Sequence, residues 1–235
     1  MQLRILVDPQ RAAVEAARII AARAHEAVAQ RGQFLMALSG GHTPWEMLRF
    51  LADLPLPWPH IHVFQVDERQ APPGHPDRNF THLCAQFLSK NILPAPNLYP
   101  MPVNLPDLDQ AAVQYSHTLQ EIAGLPPVLD LIHLGLGADG HTASLLPGDP
   151  VLGEIRQDVA ATDWYQGYRR LTLTYPMINR ARTILWLVTG TAKAAALARL
   201  MAGDGTLPAG RIRRQAALVL ADREAASRLP VPVPA

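Results

Sequence analysis

Short apolar runs alternate with longer helix-like stretches along this chain, and that alternation constrains its fold more than any other feature. Runs at 3–7, 34–38 and 61–66 are followed by helical patterns at 9–31, 44–53 and 79–88. Further runs at 129–134, 171–173, 184–188 and 217–220 continue the series, with a helical stretch at 192–201. Strands linked by helices need crossover connections, so the pattern predicts an α/β fold with a mainly parallel central sheet and helices on both faces. Ligands of such sheets bind beyond the carboxyl ends of the strands.

The chain has 235 residues, 49% of them apolar, which suffices for one α/β domain over 1–229. Residues 230–235, Pro-Val-Pro-Val-Pro-Ala, read as an extended tail. Prolines gather at 55–59, 72–76 and 94–106, where they predict rigid surface connections. The formal charge of +1 supplies no net field for nucleic acid or an anionic membrane, so any anion site must be local. The N-terminus reaches Arg4, Asp8 and Pro9 too soon for a signal peptide, and no apolar run approaches the roughly 18 residues of a spanning helix, so a cytoplasmic location is expected. Cys84, the single cysteine, follows Phe80 and Leu83 in a helical pattern and reads as a buried thiol with no disulfide partner. Asn79, Phe80 and Thr81 match the glycosylation triplet, which without a secretory signal reads as chance.

Two helix starts are marked. Asp8 before Pro9 gives an N-cap and a first-turn proline, and Thr43 with Glu46 three residues on makes a capping box. The second start follows Ser39, Gly40 and Gly41 at the end of a strand. Backbone N–H groups and the positive helix end would converge there, a cradle for phosphate. The same segment also reads as an ordinary strand-to-helix turn.

Asp67, Glu68 and Arg69 close the run at 61–66, and a buried parallel strand tolerates charge only at its tip, so all three are expected at the ligand edge. A solvated salt-bridging loop is the plainer alternative. Arg69 would donate to a phosphate or a developing oxyanion.

The stretch 135–144, Gly-Leu-Gly-Ala-Asp-Gly-His-Thr-Ala-Ser, sets Asp139 two residues from His141 on a glycine-rich turn after a strand. Its Gly135, Gly137 and Gly140 spacing matches the dinucleotide fingerprint, but Asp139 would repel a pyrophosphate and Pro147 arrives too soon for the long helix that fingerprint opens. A metal site from His133, Asp139 and His141 lacks paired-ligand helical spacing, and His141 reads better as a general base. Arg169 and Arg170 open the run at 171–173, and Lys193 falls in the first turn of a helix capped by Thr191, a poor place for a cation unless it faces an anion. Lys193 also reads as a surface lysine. His25, His60, His62, His75, His82 and His117 lie on solvated faces or proline-rich loops and carry no expected chemistry.

In this order and at these spacings, the segments at 39–44, 67–79, 135–148, 170–174 and 190–193 resemble the 6-phosphogluconolactonase family, and the likeness extends to Leu207, Pro208 and Ala209. The sister glucosamine-6-phosphate deaminases share the fold and the glycine turn. They carry a glutamate five residues after the turn histidine and a tyrosine after the Asp-Glu pair, where this chain has Leu146 and Arg69. His42 and Arg78 stand where the lactonase pattern has serines, departures that touch substrate affinity; Arg78 would add a phosphate contact.

The resemblance implies hydrolysis of a sugar-phosphate lactone, 6-phospho-D-glucono-1,5-lactone. His141 would be the general base, Asp139 its orienting acid and Arg69 the oxyanion donor, while Ser39, Gly40, Gly41, Thr43, Asp67, Arg170 and Lys193 would bind substrate. The scheme requires no metal and no organic cofactor, and names no protein partner. Two other readings are a glucosamine-6-phosphate deaminase, and a sugar-phosphate sensor, which would need a helix-turn-helix that no spare stretch supplies.

Overall fold

A computed structural model describes residues 1–230; of the tail expected over 230–235, residues 231–235 lie outside the described residues. Its strands are β1 (Gln2–Leu6), β2 (Phe34–Leu38), β3 (Ile61–Gln65), β4 (Asp67–Arg69), β5 (Leu98–Tyr99), β6 (Leu131–Leu134), β7 (Val159–Ala161), β8 (Arg170–Leu173), β9 (Thr183–Val188) and β10 (Ala217–Asp222). Its helices are α1 (Pro9–Arg31), α2 (His42–Ala52), α3 (Asn79–Leu83), α4 (Leu108–Ala123), α5 (Tyr175–Arg180) and α6 (Ala194–Ala202).

Seven strands form a parallel sheet in the order β1-β10-β9-β6-β2-β3-β5. Every residue of β2 and β6 is buried, which is why these strands read as continuous apolar runs. On one face α1 and α2 enclose Ile20, Phe34, Met36 and Leu48; on the other, Tyr115 of α4 and Leu197 of α6 join Ile132 and Trp186. Asp8 caps α1 by accepting the Arg11 N–H at 2.7 Å, and Gly32 closes it at φ 78°. The buried face of α1 is mostly alanine, which lets the helix lie close against the sheet and α2.

A second sheet, in the antiparallel order β4-β8-β7, departs from the expected alternation. The charged triplet does not tip β3, which stops at Gln65; Asp67, Glu68 and Arg69 form β4. Glu68 turns away from the ligand edge and is fully buried. It is tolerated there because its oxygens accept the N–H groups of Arg69, Asn79 and Phe80 and the Gln65 side-chain amide.

Three other boundaries differ from expectation. Helix α2 starts two residues early, with Gly41 at its N-cap and no side-chain cap, because the Thr43 hydroxyl pairs with that of Thr189 at 2.7 Å. The helix expected over 79–88 ends as α3, and a wider turn follows in which the Ser89 N–H donates to the Cys84 carbonyl. Thr191 does not cap α6; it opens a short 3-10 turn and its hydroxyl donates to Glu224, while Lys193 sits at the N-cap position. Cys84 is half-buried rather than buried.

Candidate active site

In the sheet order, β9, β6 and β2 are adjacent and parallel, so their carboxyl ends lie side by side. Segments 39–43, 135–143 and 189–193 leave those ends, and motifs far apart in sequence thereby meet. They line one cleft of about 360 Å³ together with Asp67, Arg69, Asn79 and Arg170 from the second sheet and its flank. Every residue expected to act lines this cleft except Asp139, which reaches it through His141, and Arg78.

The turn at 135–144 is shaped to present His141. The Gly137 N–H donates to the His141 carbonyl at 2.8 Å, and the Thr142 hydroxyl donates to Gly135 O at 2.8 Å. A Cβ on Gly137 would stand 2.2 Å from His141 Nδ1, so only glycine lets the ring fold back over the turn. His141 Nδ1 lies 2.6 Å from Asp139 Oδ1. With the proton on Nδ1, donated to the carboxylate, Nε2 is left as the basic nitrogen. Burial alone would raise the Asp139 carboxyl, but hydrogen bonds from the His141 backbone and ring, with the imidazole's charge, hold it below its ordinary value.

The cations come from two directions. Arg69 and Arg170 are direct cross-strand partners in the β4–β8 ladder. Arg69 donates to Asp77 O and Asn79 Oδ1, both at 2.9 Å. Arg170 is buried, its guanidinium carbon 5.1 Å from the centre of the Tyr165 ring, and burial followed by the Arg69 charge lowers its pKa. Two like charges held side by side make a site for an anion. Lys193 faces them from the carboxyl end of β9; its backbone N–H donates to Gly190 O at 3.0 Å, while its ammonium makes no hydrogen bond or ion pair among the described residues. Its loop is anchored by Asp222, which accepts the Gly190 N–H at 3.0 Å.

At the 39–43 segment the uncapped N-terminus of α2 opens on the cleft, and Gly41 turns the chain at φ 121°. Loss of the expected cap leaves first-turn N–H groups for an anion. The Ser39 hydroxyl is already committed to His133 O at 2.9 Å. Asp67 is likewise engaged: Ser144 donates to it at 2.7 Å and the Asn79 amide approaches at 3.3 Å. Ser144 is thus fully buried and tied to a carboxylate, with no histidine to activate it.

Arg169 donates to Thr162 O and does not line the cleft. Arg78 also departs from expectation: it points into a different cleft, because its Nη1 donates to Asn104 on the far side of Glu68. His133, the third residue of the candidate metal set, is fully buried in β6 with both ring nitrogens unpartnered, and burial lowers its pKa to about 4. No three His, Cys, Asp or Glu side chains gather in a metal-ligating group among the described residues.

Two site residues escaped the sequence reading of roles. Asn79, read as a chance glycosylation triplet, bridges Asp67 and Arg69 and packs against Gly40. Tyr165 stacks on Arg170 and meets the His141 ring edge-on at 6.3 Å. It sits at a tight hairpin tip between β7 and β8, where Tyr165 and Tyr168 exchange backbone hydrogen bonds and Gln166 and Gly167 both have positive φ.

Fold and site together define an open-sheet α/β protein with an acid–base pair set against a cationic cleft. The family model described as glucosamine-6-phosphate isomerases/6-phosphogluconolactonase matches residues 7–220, and the chain belongs to that family. It is 40% identical over 238 residues to a 6-phosphogluconolactonase of Synechocystis, covering 97% of this chain and 98% of the relative. Identity to the Mycobacterium tuberculosis 6-phosphogluconolactonase is 38% over 218 residues, 87% of this chain and 88% of the other. The crystal structure of 6-phosphogluconolactonase from Thermotoga maritima superposes with a TM-score of 0.83 at 27% identity, covering 94% of this chain and 98% of that one. A monomeric glucosamine-6-phosphate deaminase, 22% identical with a TM-score of 0.84 and covering 97% of this chain and 100% of that one, shares the fold.

Proposed function

We propose that the protein hydrolyses 6-phospho-D-glucono-1,5-lactone to 6-phospho-D-gluconate, the lactonase step of the oxidative pentose phosphate pathway, in the cytoplasm. The observation that carries this reading is the opening of the His141–Asp139 pair onto the same cleft as Arg69, Arg170 and Lys193. An anionic substrate and a water-activating base are thereby provided for together.

The phosphate is held by Arg170 and Lys193 with backbone donors of Gly40, Gly41 and Thr43, which fixes the remote lactone carbonyl for attack. His141 Nε2 takes a proton from water as its oxygen bonds to the carbonyl carbon. The resulting oxyanion is stabilised by Arg69, held in place by Asn79 and Asp77. Collapse of the tetrahedral intermediate breaks the bond to the ring oxygen, which takes the proton back from the imidazolium. Asp139 keeps the ring oriented and compensates its transient charge. Ser39 and Asp67 support the cleft through the bonds already described, and no covalent intermediate is needed.

Deamination is disfavoured because Leu146, apolar and buried, occupies the position of the deaminase glutamate. Freshly generated lactone and, separately, glucosamine 6-phosphate distinguish the activities. Acid release from the lactone above the spontaneous rate, without ammonia from the amino sugar, is the expected result. Ammonia release alone would overturn the assignment.

A further inference from the structure

A second cleft, of about 720 Å³, opens between α3, the 99–105 segment and α4, with Arg78 in its wall. We propose that it binds a small organic monocarboxylate, the carboxylate on Arg78 and the apolar body against Phe80, Tyr99 and Leu105.

Arg78 carries the argument. Its side chain is only 5% exposed, yet it makes one hydrogen bond among the described residues, from Nη1 to Asn104 Oδ1 at 2.9 Å. Nε has no acceptor, and the nearest carboxylate oxygen, Glu68 Oε2, is 3.8 Å away. Glu68 does not close on the guanidinium because its two oxygens are occupied by the Gln65 amide and the backbone N–H groups of Arg69, Asn79 and Phe80. Nη2 likewise makes no hydrogen bond among the described residues and, unlike Nε, is not sealed from the cleft, so it is the donor that a carboxylate entering from the open side takes. That acceptor is a single negative charge, since the Glu68 carboxylate behind Arg78 repels a second. The apolar wall beside the cation, made by Phe80, Tyr99, Met101 and Leu105, selects an anion with a hydrocarbon body over an inorganic one.

Cys84, the chain's single cysteine, lines the same cleft as a half-buried thiol and reports on occupancy independently of any activity. Its alkylation by N-ethylmaleimide is to be timed in the full-length protein with hexanoate, and with hexanamide as the neutral match. Hexanoate at about four times its Kd slows alkylation about five-fold, by mass action, and hexanamide does not. Arg78→Met abolishes this protection. Because that variant also strips Glu68 of its nearest cation, Thr118→Trp serves as the second: it fills the cleft mouth, leaves the Arg78–Glu68 pair in place, and should lose hexanoate binding by calorimetry with Tm unchanged. Equal protection by acid and amide, protection that survives Arg78→Met, unaltered hexanoate binding in Thr118→Trp, or no protection by hexanoate in the parent protein would each overturn the site.

Discussion

Asp139 Oδ1 receives two bonds from one residue, the His141 ring at 2.6 Å and the His141 backbone N–H at 3.2 Å. The carboxylate therefore fixes both the tautomer and the position of the imidazole. Asp139→Asn leaves the amide free to bond the wrong ring tautomer and should lower kcat about 100-fold or more with little change in KM. His141→Ala should lose at least as much. Initial rates of acid release, corrected for spontaneous lactone opening, measure both, and an unchanged rate for either variant removes that residue from the mechanism.

The Lys193 ammonium has no partner among the described residues, so removing it disturbs little besides ligand binding. Lys193→Ala should raise KM and the inhibition constant of 6-phosphogluconate by about 10-fold, the loss of one charge-assisted contact. Thermal stability should stay at the parental value. A drop in kcat with KM untouched would place the lysine elsewhere in the reaction.

Tyr165 is expected to act through Arg170 rather than on substrate. Tyr165→Leu removes the ring from beneath the guanidinium, a loss of about 1 kcal/mol or roughly five-fold in KM. Tyr165→Phe keeps the stack and should behave like the parent protein. Equal effects of the two changes would point to the hydroxyl instead.

Gly40 tests how closely the cradle and the oxyanion donor are coupled. A Cβ there would stand 1.8 Å from Asn79 Oδ1, so Gly40→Ala must displace the amide that orients Arg69. The expected cost is about 1–3 kcal/mol in stability, several degrees in Tm, with a fall in kcat/KM of about 10-fold or more. Gly153→Ala, whose Cβ meets nothing within 4 Å, is the control.

Buried His133 predicts acid sensitivity. Its pKa falls from 6.5 to about 4 on folding, so between those values the unfolded chain binds the extra proton. The stability it permits is fully present above pH 6.5 and is lost as pH falls toward 4. By pH 5 the loss is about 2 kcal/mol. Urea unfolding at pH 7 and pH 5 should show that difference shrink in His133→Leu; an identical pH dependence in the variant would refute the linkage.

Much of this was legible in the chain, for reasons that differ by element. The strands β2, β6 and β9 are buried on both faces and read as unbroken apolar runs, and the glycine turns that leave them carry their own conformational signals. Helix α4 does not appear in the strand–helix alternation, yet Leu108, Ala111, Ala112, Tyr115 and Leu119 are buried at helical spacing behind an Asp107 cap, a signal that was present. Strand β4 was not separable from β3, since nothing between Gln65 and Asp67 marks a break. Polar groups fared worst. Arg78 and Asn79 adjoin in sequence but serve opposite sides of Glu68, and only the fold reveals which donors a buried carboxylate has claimed.

The alternation within β4 has a consequence for how the protein folds. Asp67 and Arg69 face the cleft while Glu68, between them, is sealed among donors beside Leu171. Were β4 to pair with β8 one residue out of step, a carboxylate and a guanidinium would be driven into the apolar interior and Glu68 would be turned out to water. The misaligned chain is penalised at three charges at once. The triplet thus proofreads the assembly of the second sheet, so that a molecule which has reached its native core has also, by the same step, aimed Arg69 at the cleft.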